Sequence, residues 1–394
     1  MTTENKRIQS IDIMRGIIMV LMALDHTRDY FHIPAALQDP TNLATTTPIL
    51  FFTKFITHYC APTFVFLSGL SIYLQGLRKS GRELSIFLFT RGLWLVIMEI
   101  TIVNFGWSFN PYFNFMFLQV IWAIGCSMML LSVITRFPYW AAVSLGIGIT
   151  LLHNITDIYT PENETLKTVS GFLIMTDFSL HEIAGIKIMC AYAVLPWTGI
   201  MLLGYGAGHW YNQSKYSAEK RSKLLIYSGI SLIAVFIMLR FFNGYGDPKM
   251  WQKQSSVTYT VLSYINVTKY PPSLLYACIT LGPALILLAL LEKQRVTKFS
   301  AVMNTFGRVP FFYYLLHIYV IHLLCVALYF AQGFTWHQLN TLPQMFAFRP
   351  EQDFGFNLAG VYGVWVLVIF ICYFPCRWYD RYKSTHKKWW LSYL

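Results

Sequence analysis

Long apolar runs, separated by short polar stretches, make up most of this chain. About ten of the runs approach the roughly 20 residues that an α-helix needs to cross a bilayer. The predicted spans are Ile11–Phe31, Pro48–Leu74, Ser85–Val103, Phe115–Ile134, Tyr139–His153, Ile186–Ala207, Leu224–Phe242, Pro272–Leu291, Val309–Ala331 and Phe356–Phe374. The pattern therefore predicts an all-α, polytopic integral membrane protein with about ten transmembrane helices in one bundle.

Composition supports the same class of protein. Hydrophobic residues make up 56% and charged residues 12% of 394 residues, which is more apolar surface than one soluble core can bury. We predict a single transmembrane domain over residues 1–394. Its donor-binding and catalytic helices would lie within about residues 11–134. Further helices and outer loops would occupy about residues 139–374, and a basic tail residues 375–394.

The net charge of +12 does not indicate a nucleic-acid partner, because the basic residues fall between alternate spans. This is the positive-inside pattern, and it predicts that both termini are cytoplasmic. The basic residues of that side are Lys6, Arg7, Arg78, Lys79, Arg82, Arg136, Lys215, Lys220, Arg221, Lys223, Lys293, Arg295, Lys298, Arg308, Arg377, Arg381, Lys383, Lys387 and Lys388. One predicted outer segment is an exception, since it holds Lys249, Lys253 and Lys269. The expected location is a bacterial cytoplasmic (inner) membrane.

Polar residues inside the spans fall at two depths. At about 1.5 Å per residue, Arg15 and Arg91 lie roughly 6–9 Å above the cytoplasmic helix ends. On the same scale a second group lies roughly 20–26 Å up. Its members are His26, His58, Glu99 and Gln119, with Asp25 or Asp29 nearby. Charged groups at bilayer depth are costly and usually mark function.

The two depths suit the two halves of an acyl transfer across a membrane. Arginines match phosphate geometry, so Arg15 and Arg91, with Arg78 and Arg82 at the cytoplasmic face, would bind acyl-CoA. His26 would take the proton of the acceptor as a general base. Asp29 could orient His26 from the same helical face. His58 and Glu99 are further catalytic candidates. His317 is predicted to line the cavity and contact the donor.

Each assignment has a structural alternative. Arg15 could pair with Asp12 at i,i+3, and His26 could be an ordinary interfacial histidine. His58 and Glu99 could simply hydrogen-bond to each other across packed helices. The basic turn at residues 78–82 could act only as a topology determinant. No metal site is predicted, since no HExxH and no Cys/His zinc spacing occurs.

Several motifs resemble known membrane acyltransferases. The Arg15-x10-His26 spacing resembles the acyltransferase-3 superfamily. Several stretches resemble the domain of unknown function 1624. They include Arg7-Ile-Gln-Ser-Ile-Asp-Ile-Met-Arg-Gly, Ala23-Leu-Asp-His-Thr-Arg-Asp, Pro62-Thr-Phe-Val-Phe-Leu-Ser-Gly, Tyr270-Pro-Pro-Ser-Leu-Leu-Tyr and Gly307-Arg-Val-Pro-Phe-Phe-Tyr-Tyr-Leu-Leu-His. That group is similar to the catalytic domain of heparan-alpha-glucosaminide N-acetyltransferase.

This resemblance implies transfer of acetyl from cytosolic acetyl-CoA to a glucosamine amine on the far side of the membrane. One position departs from the heparan enzyme, whose catalytic histidine lies in the first outer loop. Here that position falls near Thr47-Pro48, and residues 33–48 contain no histidine. His26 is therefore the preferred catalytic histidine, with His32 and His58 as alternatives.

Together these features predict a transmembrane O- or N-acetyltransferase that uses acetyl-CoA. The acceptor would be a carbohydrate or amino sugar on the extracytoplasmic side, and the lipid bilayer would surround the helices. His26 could act as a base or carry the acyl group itself. A secondary transporter for a small polar or anionic solute or lipid intermediate is the alternative. Small-residue helix faces would permit a homodimer without requiring one.

Overall fold

The computed structural model describes residues 8–33, 38–158, 161–176, 178, 180–293, 297–341, 346–350, 354–386 and 388–392. Four of the basic residues predicted to be cytoplasmic lie outside these residues: Lys6, Arg7, Arg295 and Lys387. The α-helices are α1 (Gln9–Phe31), α2 (Pro48–Thr57), α3 (Cys60–Gly76), α4 (Gly81–Met98), α5 (Asn104–Ser108), α6 (Val120–Ile134), α7 (Tyr139–Leu152), α8 (Glu164–Leu173), α9 (Val194–Gly208), α10 (Ala218–Phe242), α11 (Val257–Ile265), α12 (Leu274–Lys293), α13 (Lys298–Arg308), α14 (Pro310–Ala331) and α15 (Leu358–Thr385). The chain is predominantly helical, as the sequence predicts.

Within the described residues, six helical segments are long and apolar enough to cross a membrane, so the chain is a multi-pass membrane protein. They are Pro48–Gly76, Gly81–Ser108, Ala218–Phe242, Leu274–Lys293, Pro310–Ala331 and Leu358–Thr385. The predicted count of about ten is therefore not reproduced. Helix α1 has 23 residues but is not among the six, because its charged residues lower its hydropathy. These residues are Asp12, Arg15, Asp25, Arg28 and Asp29.

Two predicted spans are wrong in their first residues, which form a small sheet that the apolar pattern did not predict. The strands are β1 (Phe115–Leu118), β2 (Leu180–Ile183) and β3 (Ile186–Cys190), in the order β1-β3-β2. β1 is parallel to β3, and β2 is antiparallel to it. Short apolar runs fit a buried strand as well as a helix, so α6 and α9 begin later than predicted and are only 15 residues long.

Local signals define several helix ends. At the start of α4 the Ser80 hydroxyl accepts from the Glu83 backbone N–H, and the Glu83 carboxylate accepts from the Ser80 N–H, which is a capping box. Helix α4 continues through a π-helical turn, Glu99–Val103, into α5. The extra residue of a π-turn often marks a functional position, and here it is where Glu99 lies.

Helix α1 occupies the centre of the bundle. It packs against α2, α3, α12, α13, α14 and α15, and the neighbouring pairs α3–α9, α4–α6 and α10–α12 surround this centre. Because α1 is enclosed by protein, its polar residues face other side chains and cavities. The fold thereby brings the ionisable groups of α1 to the interior, where the site lies.

Candidate functional site

A cavity of about 420 Å³ lies beside the C-terminal half of α1. A volume between roughly 300 and 1,000 Å³ is typical of small-molecule sites. The polar residues that line it are Asp25, His26, Asp29, Lys54, Thr57, Gln119, Tyr192, Lys269, Tyr270, Tyr314 and Arg349. We call it the outer cavity. Of the residues predicted to serve catalysis, it therefore contains His26 and Asp29.

His26 is hydrogen-bonded to a second histidine from α14. His26 Nδ1 lies 2.8 Å from His317 Nε2, and His317 Nδ1 lies 2.9 Å from the Tyr313 carbonyl oxygen. The His26 ring also packs edge-on against Trp107, with 4.7 Å between centroids. The sequence predicts that His317 contacts the donor, and in the structure its ring lies beside that of His26.

The tautomers of this pair follow from the Tyr313 carbonyl, which can only accept a hydrogen bond. His317 Nδ1 must therefore carry the proton, which leaves His317 Nε2 as an acceptor in the neutral ring. His26 Nδ1 then donates to it, and the free lone pair of neutral His26 is on Nε2. In the described structure no hydrogen bond engages that nitrogen. The arrangement is suited to taking a proton from a group in the outer cavity.

The two carboxylates of the outer cavity are held by cations. Asp25 accepts from Lys54 Nζ at 2.9 and 3.0 Å and from the Thr57 hydroxyl at 3.0 Å. Arg28 Nη2 lies 3.0 Å from Asp25 and 2.6 Å from Asp29. Among the described residues no hydrogen bond joins Asp29 to His26. The group that orients His26 is thus His317, a partner that helical spacing alone could not indicate.

His58 and Glu99 are buried behind the cavity wall. The Glu99 side chain is fully buried, and its Oε1 accepts from the Gln119 backbone N–H at 2.6 Å. The His58 ring packs edge-on against Tyr276, whose hydroxyl donates to the His58 carbonyl oxygen at 2.7 Å. In the part of the chain that is described, the anticipated His58–Glu99 hydrogen bond is not formed. Neither side chain lines the outer cavity.

A second and larger cavity, of about 1080 Å³, lies at the other end of α1. We call it the inner cavity. Its charged lining is strongly basic, with one carboxylate, Asp12, among five basic side chains. Those side chains are Arg15, Arg78, Arg91, Arg308 and Lys383. The predicted cluster of Arg15, Arg78 and Arg91 is thus brought together, whereas Arg82 is exposed in the first turn of α4 and does not line the cavity.

Arg15 is held in place between α1 and α3. Its Nη1 donates to Asp12 at 3.2 Å, its Nη2 donates to the Leu67 carbonyl oxygen at 3.4 Å, and Nη2 also contacts the Ser71 hydroxyl. The i,i+3 pair with Asp12 anticipated from the sequence is therefore present. Arg15 still lines the inner cavity when it is paired with Asp12, and Asp12 lines the inner cavity too.

The outer and inner cavities adjoin each other. Phe64 from α3 and Ile121 from α6 line both. These two apolar side chains therefore lie at the boundary between the outer cavity, which His26 lines, and the inner cavity, which the arginines line. A ligand with an anionic end and a reactive end could reach from one to the other.

The sequence does not predict several of the residues that line the outer cavity. Lys54 lies in the apolar run Ile49–Ile56, and an ionisable residue in such a run is itself a signal of function. The one sequence signal at Lys269 is that it departs from the positive-inside pattern. Arg349 gave no signal, because it comes from a loop that only the tertiary structure places at the cavity. No group of three or more His, Cys, Asp or Glu side chains in the described residues could hold a metal ion.

Comparison with known proteins identifies the family of this chain. The sequence matches the family described as heparan-alpha-glucosaminide N-acetyltransferase, catalytic, over residues 7–239, which is more than half of the chain. The chain belongs to this family. No curated protein matches the chain. The match confirms the resemblance to the catalytic domain of heparan-alpha-glucosaminide N-acetyltransferase. It implies that this protein is a membrane-bound transferase of the acetyltransferase type.

The part matched to the N-acetyltransferase family contains much of the site. It includes His26 and the arginines Arg15, Arg78 and Arg91, while His317 and Lys269 lie beyond it. The partner of His26 therefore comes from a region that the family match does not cover, and only the packing of α14 against α1 brings the two histidines together.

Proposed function

We propose that this protein transfers an acyl group, acetyl in the first place, from acyl-CoA in the inner cavity to an acceptor in the outer cavity. The observation that carries the proposal is the His26–His317 pair beside a cavity that adjoins a basic one. Family membership supports acetyl as the group. The acceptor would be a sugar hydroxyl or amine.

In this mechanism the CoA phosphates bind near Arg15, Arg78 and Arg91, since guanidinium groups bind phosphate in a bidentate manner. The thioester extends past Phe64 and Ile121 toward His26. His26 Nε2 takes the proton of the acceptor, whose oxygen or nitrogen attacks the thioester carbonyl. The carbon–sulfur bond then breaks, and the departing sulfur receives the proton from His26. The products are the acetylated acceptor and CoA.

The inner cavity would face the cytoplasm, where acyl-CoA is made available, and the outer cavity the opposite side. The basic residues around the inner cavity support this orientation under the positive-inside rule. Both termini would then be cytoplasmic, and the membrane would be a bacterial inner membrane. A transporter would also use two polar cavities, but no feature of the described residues favours it over the transferase.

The first test separates donor binding from chemistry. Purified protein in detergent is incubated with acetyl-CoA, and the dissociation constant and the release of CoA are measured separately. Arg91→Ala should raise the acetyl-CoA Kd about 10-fold or more, because a charge-assisted hydrogen bond is worth about 1.5–3 kcal/mol. His26→Ala should keep the wild-type Kd and lower CoA release by about 10²–10⁴-fold.

Arg82→Ala is the matched control, since Arg82 is an exposed arginine on the same helix and lies outside the inner cavity. It should bind acetyl-CoA like the wild type. Absence of acetyl-CoA binding by folded wild-type protein would refute the proposal, and solute flux without CoA release would point to the transporter.

A further inference from the structure

The outer cavity is apolar where it adjoins the inner cavity, on each of three helices. On α3 and α6 the boundary residues are Phe64 and Ile121, which line both cavities. On α1 the boundary falls between Arg15, which lines the inner cavity, and Met19, which lines the outer one. We call this region the apolar part of the outer cavity, and the side chains that line it are Met19, Met22, Ala61, Phe64, Val120 and Ile121.

The apolar part ends at the level of His26. Along α1 the lining residues change from Met19 and Met22 to Asp25, His26 and Asp29. Separations of three and four residues place side chains above one another on a helix, so Met19, Met22 and His26 share one face of α1. At about 1.5 Å per residue, Met22 lies roughly 6 Å and Met19 roughly 10 Å from His26, toward the inner cavity. A donor that extends from the inner cavity to His26 therefore passes both methionines.

The geometry of acyl transfer places different groups in the two parts of the outer cavity. The sulfur, the carbonyl oxygen and the acyl chain of a thioester lie in one plane, and the acceptor attacks from one face of that plane. Thr57, Tyr192 and Tyr270 line the rest of the outer cavity, where a hydroxyl or amine acceptor finds hydrogen-bond partners. The acyl chain is then left on the side of the sulfur, next to the apolar part, where its burial is favourable.

We propose that the apolar part binds the acyl chain of the donor and that Met22 limits the length of this chain. The inference rests on the proposed function and adds a specificity-determining residue to it. Met19 is 1% exposed, whereas Met22 is partly exposed and is the methionine nearer to His26. The flexible thioether side chain of methionine adapts to its neighbours, so Met22 can make room for acyl chains somewhat longer than acetyl.

The test measures the Kd of CoA, acetyl-CoA and butyryl-CoA, with the full-length protein in detergent and without any acceptor. Met22→Ala opens the apolar part and should favour butyryl-CoA over acetyl-CoA by about 10-fold relative to the wild type. Met22→Phe fills the same space and should disfavour butyryl-CoA by about 10-fold or more. The Kd of CoA, which has no acyl chain, should stay within about 2-fold of the wild type in both variants.

Met238→Ala is the matched control, because Met238 is an exposed methionine of α10 and lines neither cavity. It should keep the wild-type preference. An unchanged preference between butyryl-CoA and acetyl-CoA in folded Met22→Ala and Met22→Phe would overturn the proposal. An equal loss of affinity for CoA and for both esters would also overturn it, because Met22 would then contact the pantetheine arm.

A measurement on the wild type locates the acyl chain even where a variant fails to fold. The protein is irradiated with an acyl-CoA whose four-carbon chain ends in a diazirine, and the labelled residues are identified by mass spectrometry. We expect labels on the apolar part, above all on Met22. Labels confined to other residues, such as Tyr192 or Tyr270, would overturn the proposal.

Failure of the proposed function gives a different result from failure of this inference. Wild-type protein that binds none of the three CoA compounds would contradict the proposed function and, with it, the acyl-chain site. Binding of all three with a preference that Met22 does not affect would contradict the acyl-chain site and leave the proposed function intact.

Discussion

His26 depends on a chain of hydrogen bonds that begins at a backbone carbonyl. The Tyr313 oxygen fixes the proton on His317, and His317 then accepts from His26 Nδ1. Stacking of the His317 ring on Tyr313, at 5.1 Å between centroids, further restrains it. His317 is a positioning residue, because it acts through His26 and does not line the outer cavity.

Replacing His317 should therefore affect the rate more than donor binding. His317→Leu leaves the His26 N–H without its acceptor, which costs about 1–3 kcal/mol when buried. We expect kcat to fall about 10-fold or more while the acetyl-CoA Kd stays within about 2-fold, since a rate effect of 1.4 kcal/mol is tenfold.

His317→Gln provides the matched comparison, because its amide oxygen can still accept from His26. It should retain more activity than His317→Leu at equal thermal stability. Equal kcat for the wild type and His317→Leu would contradict the positioning role, and a fall in stability without a change in kcat would show a structural role.

At the scale of elements, close helix contacts position the groups that line the cavities. Helices α3 and α9 touch through glycines: an added Cβ at Gly69 would meet the Met201 backbone, and one at Gly204 would meet the Phe66 backbone. Small residues allow this approach, which is the usual basis of helix association in membranes. Helix α3 carries Phe64, Leu67 and Ser71, so its position affects both cavities.

Gly204→Ala should push α3 and α9 apart. Overpacking of this kind costs about 1–3 kcal/mol, and the thermal unfolding midpoint in detergent should fall. Gly148→Ala on α7 is the matched control, because an added Cβ there meets nothing within 4 Å. It should leave the midpoint unchanged or raise it, since alanine favours a helix over glycine by about 1 kcal/mol. Equal midpoints for the two variants would contradict the packing argument.

For the whole molecule, the important feature is that the two cavities lie toward opposite ends of the bundle. Gln213 lines the inner cavity and is exposed, while Tyr112, which is 84% exposed, follows the other end of the long α4–α5 segment. The proposed transfer requires these ends to lie on opposite sides of the membrane.

Labelling with a membrane-impermeant maleimide tests this arrangement. Tyr112→Cys should react in intact cells, and Gln213→Cys only after the membrane is opened. The seven native cysteines are buried or partly buried, so the wild type serves as the unlabelled control. Labelling of both variants from the same side would contradict the proposed orientation.

The sequence by itself determined the class of protein and the two depths of polar residues. A bilayer requires long apolar helices, so composition and run length predict a multi-pass helical protein. Counting residues along each helix separates Arg15 and Arg91 from His26, because the rise per residue is constant. These inferences are local, and in the structure Arg15 and Arg91 line the inner cavity whereas His26 lines the outer one.

The tertiary structure decided what the polar groups contact. His317 is 291 residues from His26, so no spacing rule could pair them, and Asp29 seemed the better partner because it is three residues away. The strands at Phe115–Leu118 and Ile186–Cys190 likewise depend on pairing between distant segments. Hydrogen-bond partners and cavities are made by long-range packing, and helical periodicity carries no information about them.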